Sequence, residues 1–160
     1  MGIQKMKTLI LGMGNPIMGD DGVGIWAARA LKDRVNEEKV TVMETGMAGL
    51  NLLELLADYD RAILIDAIKT GEGEVGKIYR LEPETLNDTR HAASTHGIDF
   101  STALELGNRL GLNLPKDIVL FGIEVADANI FSEKCTPEVE KAIPVVADMV
   151  VQELNGGSHA

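Results

Sequence analysis

One loop constrains this chain more than any other stretch. It reads Gly12-Met13-Gly14-Asn15-Pro16-Ile17-Met18-Gly19-Asp20-Asp21-Gly22-Val23-Gly24. Before it, Thr8-Leu9-Ile10-Leu11 is an apolar run fit for a buried strand. After it, Ile25-Trp26-Ala27-Ala28-Arg29-Ala30-Leu31 carries apolar residues at helical spacing. The order is strand, glycine-rich turn, two adjacent carboxylates, helix. In an open α/β sheet such a turn lies at the carboxyl edge of the strands, where ligands bind.

A Gly-x-Gly turn after a strand suggests a dinucleotide fingerprint, but the residues resist it. The third glycine belongs at position 17, where Ile17 stands. Pro16 has no N–H to offer a phosphate. Asp20 and Asp21 place negative charge where a pyrophosphate needs bare helix N–H groups. A carboxylate at a helix N-terminus is worth roughly 0.3–1 kcal/mol, so Asp20 is expected to cap the following helix. Capping needs one aspartate and leaves the second unexplained.

The rest of the chain alternates. Strands are expected at Lys7–Met13, Val40–Glu44, Arg61–Ala67 and Ile118–Ile123. Helices are expected from Val23 to about Asn36, from Leu50, over Ile98–Leu110, and from Pro137, capped by Thr136, to about Leu154, with a possible kink at Pro144. Val75–Leu81 reads as an edge strand, and the Gly71-Glu72-Gly73-Glu74 turn suggests an antiparallel hairpin with the third strand. Glu82–Thr95 is polar and irregular, and Asp127–Lys134 is a loop. Aromatics are only 4% of a chain that is 45% hydrophobic. The core is therefore aliphatic, as suits a mostly parallel sheet covered on both faces. This predicts a three-layer α/β/α fold, one domain over 1–155, and a flexible tail at 156–160 that includes His159.

The net charge of −10 argues against nucleic acid and anionic membrane surfaces as partners. No apolar run approaches the roughly 20 residues that cross a bilayer. The short apolar stretch after Lys5 and Lys7 lacks the length and cleavage site of a secretion signal. Cys135 is the single cysteine, so no disulfide framework exists and a reducing, cytoplasmic setting is expected.

Asp66 follows the buried run Ile63-Leu64-Ile65 at the same sheet edge as the first loop. A carboxylate there is costly unless paired or liganded, and the apolar Ala67-Ile68 argue against a simple turn. His96 precedes a helix start; a lone loop histidine is more often a surface group, and His91 is its rival. Asp21, Asp66 and His96 would together offer two carboxylates and an imidazole, suited to Zn²⁺ or Ni²⁺, with positions left open as in catalytic or docking sites. Glu44 ends the second strand where a ribose-binding acid would sit. The Thr45-Gly46-Met47-Ala48-Gly49 loop is either a strand-to-helix turn or the lining of a peptide groove. Met13, Met18, Met43 and Met47 near these loops are core filler by default. No seryl or cysteinyl nucleophile motif is present, and Cys135 is expected to be a packed thiol.

Taken together, these residues resemble the [NiFe]-hydrogenase maturation endopeptidases, the C-terminal processing proteases of peptidase family M52. The resemblance rests on Gly12-x-Gly14-Asn15 with Gly19-Asp20-Asp21-Gly22-x-Gly24, then Glu44-Thr45-Gly46-x-x-Gly49, Leu64-Ile65-Asp66-Ala67, Thr95-His96, Val119–Glu124 and Thr136-Pro137-Glu138-Val139. The family more often shows two adjacent glycines where this chain has Thr45-Gly46. The resemblance implies a phosphorylase/hydrolase-like mixed sheet of five strands, one antiparallel. It also implies removal of a short C-terminal extension from the precursor of a hydrogenase large subunit after nickel insertion. Asp21, Asp66 and His96 are then the residues expected to contact a nickel carried by the substrate, and zinc or cadmium could occupy the same place. Gly14, Asn15, Asp20, Glu44, Gly46 and Gly49 are expected along the substrate. Three roles stay open: nickel as a docking element, nickel as a Lewis acid, or Asp21 and Asp66 sharing a proton without metal. A nucleotide-binding or regulatory module without peptidase activity is the alternative.

Overall fold

A computed structural model of the chain describes residues 6–46, 50–83, 93–94, 100–126 and 130–156. Strands lie at Thr8–Met13 (β1), Val40–Thr45 (β2), Arg61–Lys69 (β3), Ile78–Leu81 (β4), Ala93–Ser94 (β5) and Asp117–Glu124 (β6). Helices lie at Val23–Lys32 (α1), Leu50–Leu56 (α2), Phe100–Arg109 (α3) and Pro137–Gly156 (α4), with a 3-10 turn at Gly19–Gly22.

The main strands run β2-β1-β3-β6-β4. The first four are parallel and β4 is antiparallel to β6. This is the mixed, mostly parallel five-stranded sheet expected, with β5 added as a two-residue antiparallel partner of β3. Side chains alternate between the faces, as the pleat requires. Ile10, Ile63, Ile65, Val119 and Phe121 join Val23, Ala27 and Leu31 of α1 and Val139 and Val146 of α4 in one core. Leu9, Leu11, Leu64, Ile118 and Leu120 join Leu52 and Leu56 of α2 and Ala103 of α3 in the other. Burial on both faces is why β3 reads as a continuous apolar run rather than an alternating one.

Three expectations need correction. β4 does not form a hairpin with β3, because both edges of β3 are taken along that length by β1 and β6. The connection instead carries β4 to the free edge of β6. The polar stretch 82–95 contains β5, which has too few residues to show any periodicity. Helix α1 ends at Lys32 rather than near Asn36. Arg34 N–H turns back to the Leu31 carbonyl at 2.9 Å, and the Asn36 side chain accepts from Glu38 N–H at 3.0 Å, opening a turn that competes with the helix. Helix α4 runs on through Pro144, and the last four residues lie outside the described chain.

Candidate active site

Close backbone approach shapes the glycine loop. A Cβ on Gly24 would collide with the carbonyl oxygens of Met13 and Ile65, so only glycine lets α1 begin directly against the ends of β1 and β3. Gly14 has φ +148° and meets the carbonyl of Asp21 in the same way. Asp21 is thereby folded back onto the start of the loop. Its Oδ2 accepts from Asn15 N–H at 3.1 Å, while the Asn15 side chain accepts from Ile17 N–H at 3.2 Å.

Asp21 lines an open cavity of about 470 Å³ together with Gly14, Asn15, Pro16, Ile25, Glu44, Thr45 and Gly46. Four of the expected substrate residues, Gly14, Asn15, Glu44 and Gly46, thus share one cavity with Asp21. Gly49 and His96 lie outside the described residues, as do His91 and Met47. Met13 and Met43 pack in the core beneath, as filler.

Glu44 is committed to Arg29 in a bidentate pair of 2.9 and 3.0 Å, with the guanidinium 4.8 Å above the Trp26 ring. The Arg29 hydrogen bonds hold the Glu44 carboxyl below its ordinary range, against the opposing effect of burial. A carboxylate so engaged is poorly placed to receive a ribose hydroxyl, which weakens the dinucleotide alternative further.

Asp66 sits in the middle of the sheet, 1% exposed. Its Oδ1 accepts from Ala67 N–H at 2.8 Å. The strand continues to Lys69, so no turn explains the residue. The topology around it is more informative. β1 pairs with β3 as far as Ile65, and β5 pairs with β3 at Ile68 and Lys69. The edge of β3 between them, Asp66-Ala67, faces the gap where β1 departs into the glycine loop. The 3-10 turn carrying Asp21 packs against β3. On the other side Asp66 is in register with Gly122 of β6. β5 runs toward Asp66 and ends two residues before His96 in sequence. A break in strand order at the carboxyl edge is where ligands bind in such sheets.

The HycI family model, described as hydrogenase maturation protease, matches residues 25–153. The chain belongs to this family. A HupD hydrogenase expression/formation protein of Bradyrhizobium diazoefficiens is 30% identical over 154 residues, covering 94% of this chain and 79% of that relative. The hydrogenase 2 maturation protease of Escherichia coli is 28% identical, covering 93% and 91%. Among solved structures, the hydrogenase maturating endopeptidase HybD of E. coli superposes with a TM-score of 0.79 at 26% identity, covering 94% of this chain and 93% of that one. The HycI maturation protease of Thermococcus kodakarensis gives 0.72 at 26%, covering 94% of each.

This hydrogenase maturation protease is therefore a hydrolase of peptide bonds, and its remaining polar groups can be read accordingly. Burial, followed by the charges of Asp20 and Glu140, pushes the Cys135 thiol up to about 12, which disfavours the thiolate. Asp20 does not cap α1, whose N-terminus uses no side-chain cap. Its carboxylate accepts instead from Thr136, from N–H at 2.6 Å and from the hydroxyl at 2.8 Å.

Glu124 was missed by sequence reading. It ends the apolar run of β6 just as Asp66 interrupts that of β3, and that pattern was the available signal. It is 2% exposed and accepts from Thr70 N–H at 2.8 Å, the Thr70 hydroxyl, and the Tyr79 hydroxyl at 3.1 Å. Burial pushes its carboxyl up, but the donors from Thr70, Tyr79 and Gly71 outweigh this and hold it below the ordinary range. A lowered folded-state pKa contributes stability above the unfolded value, and that stability is lost as pH falls through the folded value. Glu124→Gln is therefore expected to cost about 1.5–3 kcal/mol at pH 7 and progressively less toward pH 3. Urea unfolding of both proteins across that range checks this; an equal cost at both ends contradicts it.

Proposed function

We propose that the protease removes the C-terminal extension of a nickel-loaded [NiFe]-hydrogenase large-subunit precursor, in the cytoplasm, as the closing step of that subunit's maturation. The observation that carries the reading is Asp66, a buried carboxylate on β3 at the level where pairing with β1 has stopped and pairing with β5 has not begun, on the strand that the 3-10 turn of Asp21 also contacts. Two carboxylates and an imidazole are an oxygen-and-nitrogen donor set suited to Ni²⁺, and the ion they would hold arrives with the client.

Asp21 and Asp66, with His96 as the third group assigned by the family motif, contact the nickel. The cavity lined by Gly14, Asn15, Thr45 and Gly46 takes the extended chain next to the cut. Nickel acts here as the recognition element: an unloaded precursor lacks the ion that the two carboxylates would hold and does not dock productively. Zinc or cadmium could occupy the same place, since the donor set suits them as well. The charge of −10 argues against nucleic acid or an anionic membrane surface as the partner, and no helix among the described residues is long and apolar enough to cross a membrane. Incubation with nickel-loaded candidate precursors, followed by mass measurement, is expected to show one released C-terminal peptide and a shortened large subunit. Precursors that all stay intact would remove the reading.

A further inference from the structure

We propose that Asp20 is a positioning residue: it clamps the turn bearing Asp21 to the start of α4, which makes segment 130–136 a working part of the site. What Asp21 does rests on the peptidase reading above; the clamp itself does not.

Among the described residues five hydrogen bonds join residues 17–20 to residues 132–136, one of them a weak one from the Cys135 thiol. Ser132 N–H donates to the Ile17 carbonyl at 2.9 Å, and Gly19 N–H donates to the Ser132 carbonyl at 2.8 Å, around a parallel bridge between Met18 and Ser132. Thr136 then donates twice to Asp20, one bond to each carboxylate oxygen. The partners are 116 residues apart in sequence. A carboxylate at the first turn of α4 is also favoured by the helix dipole. Asp21 is the next residue, with its own N–H on the Met18 carbonyl at 3.2 Å and its carboxylate on Asn15 N–H. The turn is thus pinned on both sides, by Asn15 and by the seam to α4. Asp20 does not line the cavity that Asp21 lines. The adjacent acids therefore divide the work: Asp21 faces the client and Asp20 holds it there.

Cys135 gives a readout independent of cleavage. It is half-buried on the same seam, with Sγ 3.9 Å from the Gly19 carbonyl. Opening the seam exposes the thiol to a disulfide reagent. Asp20→Asn keeps both bonds, since the amide oxygen accepts from Thr136 N–H and the Thr136 hydroxyl can reverse to accept from the amide nitrogen. Asp20→Ala breaks both. Thr136→Val breaks one while leaving the Asp20 charge, and Thr136→Ser restores it.

Expected results are faster Cys135 labelling in Asp20→Ala than in Asp20→Asn, and faster in Thr136→Val than in Thr136→Ser, with Thr136→Ser near wild type. Because Asp20→Asn removes the same charge as Asp20→Ala, the pair separates opening of the seam from the electrostatic effect on the thiol. Cleavage follows the same order, with kcat lowered about ten- to a hundred-fold in Asp20→Ala and restored in Asp20→Asn. Asp20→Asn as damaging to cleavage as Asp20→Ala, with Thr136→Val silent, overturns the proposal and makes Asp20 a contact of client or metal. Unchanged labelling in Asp20→Ala and Thr136→Val overturns it as well. If the wild type cuts no precursor, the peptidase reading fails while labelling still decides the clamp.

Discussion

Asp66→Asn is expected to give a folded protein that releases almost no tail from the nickel-loaded precursor. The loss in kcat/KM should be roughly a thousand-fold, equivalent to about 4 kcal/mol. Asparagine has nearly the shape of aspartate and keeps an oxygen for the Ala67 N–H, so the local hydrogen bond survives. What disappears is the charge, in a place so secluded that only a charge attracts a cation strongly. The replacement is close to isosteric, so the variant should stay folded. Circular dichroism and thermal unfolding measured beside cleavage separate loss of charge from loss of fold. Near-normal cutting by the folded variant would make Asp66 a structural group.

Gly24→Ala should be damaging for the opposite reason, through packing alone. The added methyl meets the backbone oxygens of Met13 and Ile65 and the Met13 nitrogen, none of which can turn aside as a side-chain tip would. Relief requires lifting α1 from the sheet or displacing the turn of Asp21. The expected cost is about 3 kcal/mol, which for a domain of this size lowers Tm by roughly 6–12 °C. Gly156→Ala, where an added Cβ meets nothing within 4 Å, serves as the control and should leave Tm in place. A Gly24→Ala protein as stable as wild type would mean that the loop adapts, and that its glycines do not fix the site.

The parts of the fold that were legible are those set by local pattern. Apolar runs of strand length, helical spacing after the glycine loop, and glycine punctuation located every main strand and placed Asp66 toward the carboxyl end of β3. Pairing choices were less accessible. That β4 joins β6 instead of β3 depends on which edges are already occupied, a property of the whole sheet. The gap that makes Asp66 conspicuous is equally non-local, since it arises where β1 stops and a two-residue strand begins.

The acidic pair shows the same limit at the site. Sequence reading could tell that one aspartate was unexplained by capping, and it named the adjacent helix as the one capped. Helix α4 receives that service instead, and no neighbour in sequence signals it. Glu44 reads as a client contact, and it does line the cavity, but its carboxylate is bound to Arg29. His96 rests on the family motif, with only its flanks, Ser94 and Phe100, among the described residues.

The central claim is that one carboxylate from the 3-10 turn and one from β3 grip a transition-metal ion delivered by the client. It is tested most directly by presenting the enzyme with one precursor prepared in two forms, nickel-loaded and nickel-free, and weighing the products. The account predicts a released C-terminal peptide from the loaded form and an intact chain from the other, with cutting gained when nickel is inserted into the nickel-free precursor. Equal cleavage of both forms would contradict it.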